Sequence, residues 1–207
     1  MTMAATDELT CFKAYDIRGR LGIDFDESIA YRISSAFSLI LEAKTVVLGR
    51  DVRGSSEKLA KSVAQGLIDQ GCDVLDLGLS GTAEMYFATT HFGADGGICV
   101  TASHNPMDYN GMKMVRAGSV PLDVASGLAR IKKLAEANVF EKKAAFGKIR
   151  NVAGEARAAY VERICQFVDI SALKPLKILV NAGHGTAGPT FDAIAETFAE
   201  LGAPLVF

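Results

Sequence analysis

Short β-branched runs alternate with longer stretches of helical periodicity along most of this chain, and the alternation restricts its fold more than any other feature. Apolar residues within 29–41 recur at helical spacing and lead into the strand-like run 45–48. A second apolar stripe within 59–68 leads into the strand-like run 73–77 in the same way. Repeated helix and strand units predict a three-layer α/β/α sandwich with a largely parallel, mixed sheet.

The rest of the chain continues this pattern and then interrupts it. The remaining elements predicted for the first unit are a helix over 82–92, strands over 97–101 and 112–116, and a helix over 121–138. Residues 139–150 lose the periodicity and are predicted to form a linker. The pattern resumes with alternating helices and strands over 156–168, 177–181, 189–201 and 204–207.

These elements predict two domains of unequal completeness. The first domain is expected over residues 1–150, and part of a second, similar α/β domain over residues 151–207. A lone unit of roughly fifty residues buries too little apolar surface to be stable by itself. We therefore expect the sequence to be truncated within its second domain.

The composition argues against several classes of partner. The formal net charge is −2 at pH 7, whereas proteins that bind nucleic acid or anionic membranes usually carry a basic excess, so neither partner is expected. The first ten residues lack the apolar core of a secretory signal, and the apolar stretch 33–47 is too broken by polar residues to span a bilayer. The four cysteines form no CxxC pair, which fits a reducing, cytoplasmic location.

A loop after the third predicted strand of the first unit concentrates reactive side chains. Ser103 and His104 follow an apolar run, and Lys113 comes ten residues after the serine. Ligands gather where the strands of a parallel sheet end, which is where this loop is expected to lie. Cations collect on the neighbouring predicted loops, namely Lys13, Arg18, Arg20, Arg50, Arg53 and Arg116. Arginine and lysine match phosphate oxygens, so a phosphorylated substrate is predicted.

Two other interpretations of the motifs are weaker. Adjacent side chains usually diverge, and the G-x-S-x-G elbow is absent, so Ser103 and His104 are not expected to form a serine-hydrolase triad. Residues 183–188 spell G-x-G-x-x-G between a predicted strand and helix, as in dinucleotide-binding proteins. The acidic residue that should follow by about 20 positions would lie at or beyond the last residue. A glycine-rich turn is therefore the simpler interpretation of 183–188.

Three segments resemble the α-D-phosphohexomutase superfamily. They are FKAYDIRG at 12–19, GRDVR at 49–53 and GGICVTASHNP at 96–106. Two others, GTAEMYFAT at 81–89 and MDYNGMK at 107–113, are similar to the bacterial phosphomannomutase branch in particular. The resemblance extends over essentially the whole chain.

The resemblance implies an isomerase that interconverts mannose 6-phosphate and mannose 1-phosphate through a phosphoserine and a bisphosphorylated sugar. It implies that Ser103 carries the phosphoryl group and that His104 hydrogen-bonds that phosphate or its metal environment. Lys113 and Arg18 are expected to share proton transfer and stabilisation of the phosphoryl oxygens, with the base left open between them. The expected substrate- and phosphate-binding residues are Tyr15, Arg50, Asn110 and Gly111.

The resemblance also implies cofactors and a longer protein. Mg²⁺ is expected, with a phosphoryl oxygen on Ser103 as one ligand and the remaining ligands outside this sequence, and glucose 1,6-bisphosphate or mannose 1,6-bisphosphate is the expected activator. Family members have four domains, and the metal, sugar and second phosphate loops of the later domains are missing here, so this chain alone is expected to be inactive. Two alternatives stay open: a phosphoglucomutase or dual-specificity phosphohexomutase, and a non-catalytic fragment that binds a phosphosugar or dinucleotide.

Overall fold

The central sheet has seven strands in the computed structural model, which describes residues 8–207. In chain order they are β1 (Ile17–Arg20), β2 (Thr45–Arg50), β3 (Asp73–Leu79), β4 (Gly96–Val100), β5 (Tyr109–Arg116), β6 (Val120–Pro121) and β7 (Ile149–Asn151). Their order across the sheet is β1-β5-β4-β2-β3-β7, with β6 paired to β5. Strands β4, β2, β3 and β7 pair in parallel, whereas β5 is antiparallel to β1, β4 and β6. The predicted mixed sheet is confirmed.

Helices cover both faces of this sheet. They are α1 (Glu27–Leu41), α2 (Ser56–Asp69), α3 (Thr82–His91), α4 (Ala129–Ala137), α5 (Ala153–Cys165) and α6 (Ala187–Glu200). Buried side chains of α1, α2 and α4 form one core with the sheet, and those of α3 and α5 form another. The predicted three-layer arrangement is therefore confirmed.

The alternation of side chains along the strands separates the two cores. In β2, Val46 and Leu48 belong to the core beneath α1 and α2, whereas Val47 packs on the opposite side with Met85 of α3. Successive side chains of a strand point to opposite faces, so Arg50 continues the row of Val46 and Leu48 towards α2. This register gives Arg50 different surroundings from Arg53, the other arginine of the segment 49–53.

Most predicted elements of the first unit agree with the structure, but the helix predicted over 121–138 is wrong at its start. Residues 120–121 form β6, and the regular helix α4 begins only at Ala129. Gly127, with φ of 149°, interrupts the helical path, and Asp123 accepts a hydrogen bond from the Ser126 amide at 2.7 Å, which closes a separate turn. Apolar spacing alone does not reveal this break.

The linker predicted over 139–150 also differs from the structure at its end. Strand β7 pairs in parallel with β3 and crosses the predicted domain boundary at residue 150. The Lys148 amide donates to the Asp73 carboxylate at 2.8 Å, and a Cβ on Gly147 would clash with the Cys72 carbonyl oxygen. Glycine therefore lets the segment approach the sheet edge closely enough to add a strand.

The second unit consists of α5, α6 and a two-stranded parallel sheet of β8 (Leu176–Lys177) and β9 (Leu205–Val206). Its two predicted helices are present, but the strand predicted over 177–181 is shorter, because β8 pairs only along the two residues of β9. The unit contacts the first domain through Thr190, whose hydroxyl donates to the Glu84 carboxylate at 2.9 Å. Across residues 8–207, none of the helices is both long and apolar enough to cross a membrane.

Candidate active site

The candidate site lies at the edge of the sheet where β2 and β4 end and β5 begins. These strands are neighbours in the order β5-β4-β2, and β5 is antiparallel to β4, so its first residues lie beside the end of β4. We call residues 101–108, between β4 and β5, the serine loop, and residues 51–55, between β2 and α2, the clamp loop. The topology thus brings together the two loops predicted to bind phosphate.

Ser103 is exposed on the serine loop and has a φ of 53°, in the left-handed region. A residue with a Cβ loses about 1–2 kcal/mol in this conformation, so neighbouring contacts must hold it. The Ser103 amide donates to the Thr101 hydroxyl at 2.9 Å, and the Asn105 amide donates to the Ala102 carbonyl at 3.0 Å. The loop therefore presents the serine hydroxyl on a tight, strained turn.

Arg53 of the clamp loop hydrogen-bonds to the backbone of the serine loop and of Tyr109. Its Nη2 donates to the carbonyls of Ser103 at 3.0 Å and Asn105 at 2.5 Å. Its Nη1 donates to the carbonyls of Pro106 at 2.8 Å and Tyr109 at 3.1 Å. Only 10% of the Arg53 side chain is exposed, although its bonds to Ser103 and Pro106 lie at the surface.

Asp51 fixes Arg53 from within the clamp loop. Its carboxylate lies 3.6 Å from Arg53 Nε and accepts hydrogen bonds from the Arg53 amide at 3.0 Å and the Ser56 hydroxyl at 2.5 Å. The Asp51 amide in turn donates to the Val100 carbonyl at the end of β4, at 3.0 Å. The aspartate therefore anchors the arginine to the sheet.

Asn110 joins the clamp loop to the start of β5. This fully buried side chain donates to the hydroxyls of Ser55 at 2.7 Å and Ser56 at 2.9 Å, and its Oδ1 accepts from the Gly111 amide at 2.8 Å. A Cβ on Gly111 would clash with the carbonyl oxygen of Ile17, so glycine is needed for β1 and β5 to pair. Both predicted binding residues thus hold the strand that carries Lys113.

Lys113 and Arg18 share one carboxylate, that of Asp16. Arg18 Nε and Nη2 lie 3.1 Å from Asp16 Oδ2, and Lys113 Nζ lies 3.6 Å from the same oxygen. Arg18 Nη1 also donates to the Thr101 carbonyl at the beginning of the serine loop. The Lys113 side chain keeps 34% of its surface exposed, against 11% for Arg18. The structure therefore brings the two predicted cations together beside the serine loop.

The other predicted site residues fall in two groups. His104 is exposed with Nδ1 3.3 Å from Ser103 Oγ, and Tyr15 is 74% exposed just before β1. Arg50, however, turns towards α2, where its Nη2 lies 3.8 Å from the Glu57 carboxylate and it lines a cavity of about 490 Å³. Arg53, its neighbour in the same motif, reaches the serine loop instead.

Cys99 carries the thiol nearest in sequence to Ser103, and its burial makes it unreactive. It is buried in β4, and desolvation raises the pKa of its thiol to about 12. A thiol reacts as the thiolate, which is scarce at neutral pH under these conditions. The exposed Ser103 hydroxyl is therefore the nucleophile that the loop offers.

The described residues do not fit a metal site by themselves. Within residues 8–207, no three His, Cys, Asp or Glu side chains are grouped to hold an ion. The carboxylates nearest the serine loop are already paired, Asp16 with Arg18 and Lys113, and Asp108 with Arg20 at 2.8 Å. Mg²⁺ is usually bound by one or two carboxylates together with water and phosphate oxygens, and these carboxylates are engaged by cations of the protein instead.

The roles of Arg53, Asp16 and Asp51 are not predicted from the sequence. Arg53 belongs to the predicted loop cations, but the binding role is expected of Arg50. Strand alternation could have separated the two arginines, because Arg50 continues the inward row of β2 towards α2. Asp16 and Asp51 belong to the segments that carry the resemblance, and their proximity to the site cations could have been inferred from charge pairing.

Known proteins match nearly the whole of this chain. Residues 9–142 match the family model described as phosphoglucomutase/phosphomannomutase, alpha/beta/alpha domain I. A phosphomannomutase of Salmonella typhimurium is 54% identical over 202 residues, which are 97% of this chain and 44% of the relative. A phosphomannomutase of Escherichia coli is 52% identical over 198 residues, 96% of this chain and 43% of the relative.

A solved structure agrees with these sequence relatives. A phosphoglucomutase/phosphomannomutase family protein from Burkholderia thailandensis superposes with a TM-score of 0.76 at 34% identity, over 99% of this chain and 44% of that one. The chain therefore spans less than half the length of each of these three relatives.

Proposed function

The chain belongs to the phosphoglucomutase/phosphomannomutase family, and from this premise we propose that it forms the serine-bearing part of a phosphomannomutase. Such an enzyme interconverts mannose 6-phosphate and mannose 1-phosphate through a phosphoserine and a bisphosphorylated sugar. The observation that carries the proposal is the exposed, left-handed Ser103, held at the carboxyl edge of the sheet beside Lys113 and Arg18.

The proposed reaction consists of two phosphoryl transfers in opposite directions. A sugar hydroxyl oxygen attacks the phosphorus of phosphorylated Ser103; the new O–P bond forms as the serine O–P bond breaks. The hydroxyl proton leaves to a base, and Ser103 Oγ takes up a proton, which gives free serine and the sugar bisphosphate. The reverse process then returns the other phosphate of the sugar to Ser103. Catalysis of such transfers is mainly positioning and charge neutralisation.

We assign the proton transfer to Lys113 and charge stabilisation to Arg18. Arginine stays protonated in proteins, so it cannot act as the base, whereas a lysine amine can exchange a proton. The partial exposure of Lys113 leaves its ammonium accessible to a phosphosugar. Arg18 uses three of its five N–H groups on Asp16 and the Thr101 carbonyl, which leaves one on each terminal nitrogen for phosphoryl oxygens.

The remaining site residues take supporting roles in this proposal. His104 hydrogen-bonds the phosphate on Ser103, Tyr15 forms part of the pocket wall, and Asn110 with Gly111 fixes the strand of Lys113. Arg50 has no phosphate-binding role in this proposal, because its guanidinium pairs with Glu57 on the α2 side of the sheet.

Membership of this family suggests a metal-dependent enzyme, and we propose Mg²⁺ as the metal. A phosphoryl oxygen on Ser103 would supply one ligand, and the others would have to come from outside residues 8–207, where the described side chains form no metal cluster. Bound there, the ion would neutralise charge on the transferring phosphoryl group. Glucose 1,6-bisphosphate or mannose 1,6-bisphosphate is the proposed activator, since either can place a phosphate on the serine.

We also propose that the enzyme is cytoplasmic, acts on a phosphorylated hexose and binds neither nucleic acid nor membranes. The four free cysteines and the net charge of −2 support it. Phosphoglucomutase or dual-specificity activity is the main alternative, because the family name joins both sugars. Dinucleotide binding at 183–188 has less support, since β8 ends at Lys177 and the glycine-rich loop does not follow the strand directly.

The test is transfer of a labelled phosphate to one serine. A protein that carries this chain within the length of its relatives is incubated with labelled glucose 1,6-bisphosphate, and the labelled residue is identified by mass spectrometry. We expect label on Ser103, no label in Ser103→Ala, and normal labelling in Ser119→Ala, which alters another serine of left-handed φ outside the site. Label on a different residue, or full mutase activity in Ser103→Ala, would contradict the proposal.

The inactivity expected of the chain alone is tested separately. The 207-residue protein is assayed for conversion of mannose 1-phosphate to mannose 6-phosphate with added Mg²⁺ and bisphosphate. We expect no turnover, because the described residues do not enclose a metal. Measurable turnover would show that the reaction needs no metal ligands from outside this chain.

A further inference from the structure

We infer that Arg53 is a positioning residue for phosphoryl transfer, which holds the serine loop and binds no phosphate itself; the inference rests on the proposed function. A guanidinium has five N–H donors. In Arg53, the four donors of Nη1 and Nη2 go to four backbone carbonyls of residues 103–109, and Nε faces Asp51 at 3.6 Å. No N–H group on either terminal nitrogen is left for a substrate oxygen, and Nε is turned towards the Asp51 carboxylate.

This use of donors separates Arg53 from Arg18. Arg18 keeps one free N–H on each terminal nitrogen, whereas both terminal nitrogens of Arg53 are fully used by backbone carbonyls. A lysine at position 53 would offer three donors from a single nitrogen, which cannot satisfy four carbonyls spread over seven residues. The charge of Arg53 is therefore less important than the shape of its guanidinium.

The contact with Ser103 itself connects this geometry to the chemistry. Arg53 bonds the carbonyl of the strained residue and that of Asn105, and so fixes the peptide planes after the serine. Strained backbone persists only where its surroundings determine it from several sides. Without the guanidinium, we expect Ser103 to relax to negative φ, which changes the direction of its hydroxyl.

The clamp loop also helps to fix the strand that carries Lys113. Asp51 bonds Ser56, Ser56 bonds Asn110, and Asn110 bonds the amide of Gly111 in the strand that carries Lys113. One loop thus sets the position of both the phosphoryl carrier and the proposed proton-transfer residue. Loss of Arg53 is expected to misplace the serine relative to the lysine, and a displacement of about 1 Å can slow a reaction roughly 100-fold.

The first experiment measures amide hydrogen exchange in the 207-residue chain, with no need for activity. In Arg53→Ala and Arg53→Lys, the amides of Asn105 and Tyr109 should exchange roughly tenfold faster or more, while those of β2 and β4 keep their protection. Arg130→Ala, which removes an exposed arginine on α4, is the matched control and should leave the serine loop unchanged. Unchanged exchange in both Arg53 variants would overturn the inference.

The second experiment measures labelling of Ser103 in a protein of the relatives' length. Arg53→Ala should label about 100-fold more slowly with little change in KM, because the substrate contacts persist. Arg53→Lys should recover little of the rate, although it keeps the charge; full recovery, or a loss confined to KM, would overturn the inference. If Arg53→Ala does not fold, as judged by circular dichroism, Arg53→Lys decides both measurements. Absence of label in the unaltered protein would refute the proposed function instead, while the exchange data still decide whether Arg53 holds the loop.

Discussion

Asp69, the last residue of α2, anchors the segment that leads from α4 to β7, and its removal should weaken the fold measurably. The side chain is 2% exposed, and it accepts hydrogen bonds from Tyr31 Oη at 2.8 Å, Gln65 Nε2 at 2.7 Å and Lys142 Nζ at 2.7 Å. Lys142 belongs to the segment 138–148, which crosses the end of α2 before the sheet gains its last strand.

The magnitude for Asp69→Ala follows from these partners. A hydrogen bond to a charged group contributes about 1.5–3 kcal/mol, and the half-buried Tyr31 loses such a bond. Gln65 and Lys142 are exposed and return to water, so their bonds add little. We therefore expect the free energy of unfolding to fall by about 2 kcal/mol at pH 7.

The effect should depend on pH in a defined direction. Burial opposes ionisation of Asp69, but hydrogen bonds from Lys142, Tyr31 and Gln65 outweigh it and lower the pKa of the carboxyl. A group with a lowered folded pKa stabilises the protein above its unfolded pKa, about 3.9 for aspartate, and loses that effect as pH falls through the folded value. The difference between the unaltered protein and Asp69→Ala should be constant above about pH 5 and shrink below about pH 4.

Urea unfolding followed by circular dichroism at pH 7, 4 and 3 measures this difference. Asp192→Ala, on the exposed face of α6, is the control and should change the free energy of unfolding by less than about 0.5 kcal/mol. A difference for Asp69→Ala that stays constant or grows as the pH falls would refute the assigned ion pairing. A loss no larger than that of the control would refute the assigned burial and bonding.

Two further predictions concern close packing and thiol chemistry. Gly111→Ala places a Cβ against the Ile17 carbonyl oxygen, so the free energy of unfolding measured in urea should fall by about 1–3 kcal/mol. A Cβ at Gly154 meets nothing within 4 Å, so Gly154→Ala should be neutral or stabilising. Equal effects of the two substitutions would contradict the packing argument. Desolvation raises the pKa of the three buried thiols, those of Cys11, Cys72 and Cys99, to about 12. These thiols should therefore resist iodoacetamide at pH 8 until urea is added. Rapid modification of any of them in the folded protein would contradict their burial.

The fold was largely predictable because most elements bury a regular apolar face. The stripes within 29–41 and 59–68 each form a helix against the same core, and the β-branched run of β2 becomes a strand covered on both sides. Prediction was wrong where burial does not determine the backbone. The break at Gly127 depends on a single unusual φ, and the three residues of β7 are all exposed, so apolar alternation carries no sign of either.

The site was predictable only in part, and the reason is chemical. Ser103, Lys113 and Arg18 come from motifs whose side chains can be read directly from the sequence. The clamp by Arg53 depends on four backbone carbonyls, and every residue has a carbonyl, so no residue type marks the acceptors. Predicting such a clamp requires the backbone conformation of the serine loop, which cannot be inferred from its residue types.

The cations of the site differ in how many of their N–H donors are already bonded to the protein, and this difference separates a positioning role from phosphate binding. Arg53 has no N–H left on its terminal nitrogens, Arg18 keeps two, and Lys113 contacts one carboxylate at 3.6 Å while a third of its side chain stays exposed. The two arginine side chains are about equally buried, with 10% and 11% of their surface exposed, whereas Lys113, with 34% exposed, is more accessible to an incoming phosphosugar. Because the terminal nitrogens of Arg53 are saturated by the backbone, an incoming phosphate gains little from displacing this side chain. The loop geometry can therefore persist while charge moves between Ser103 and the sugar.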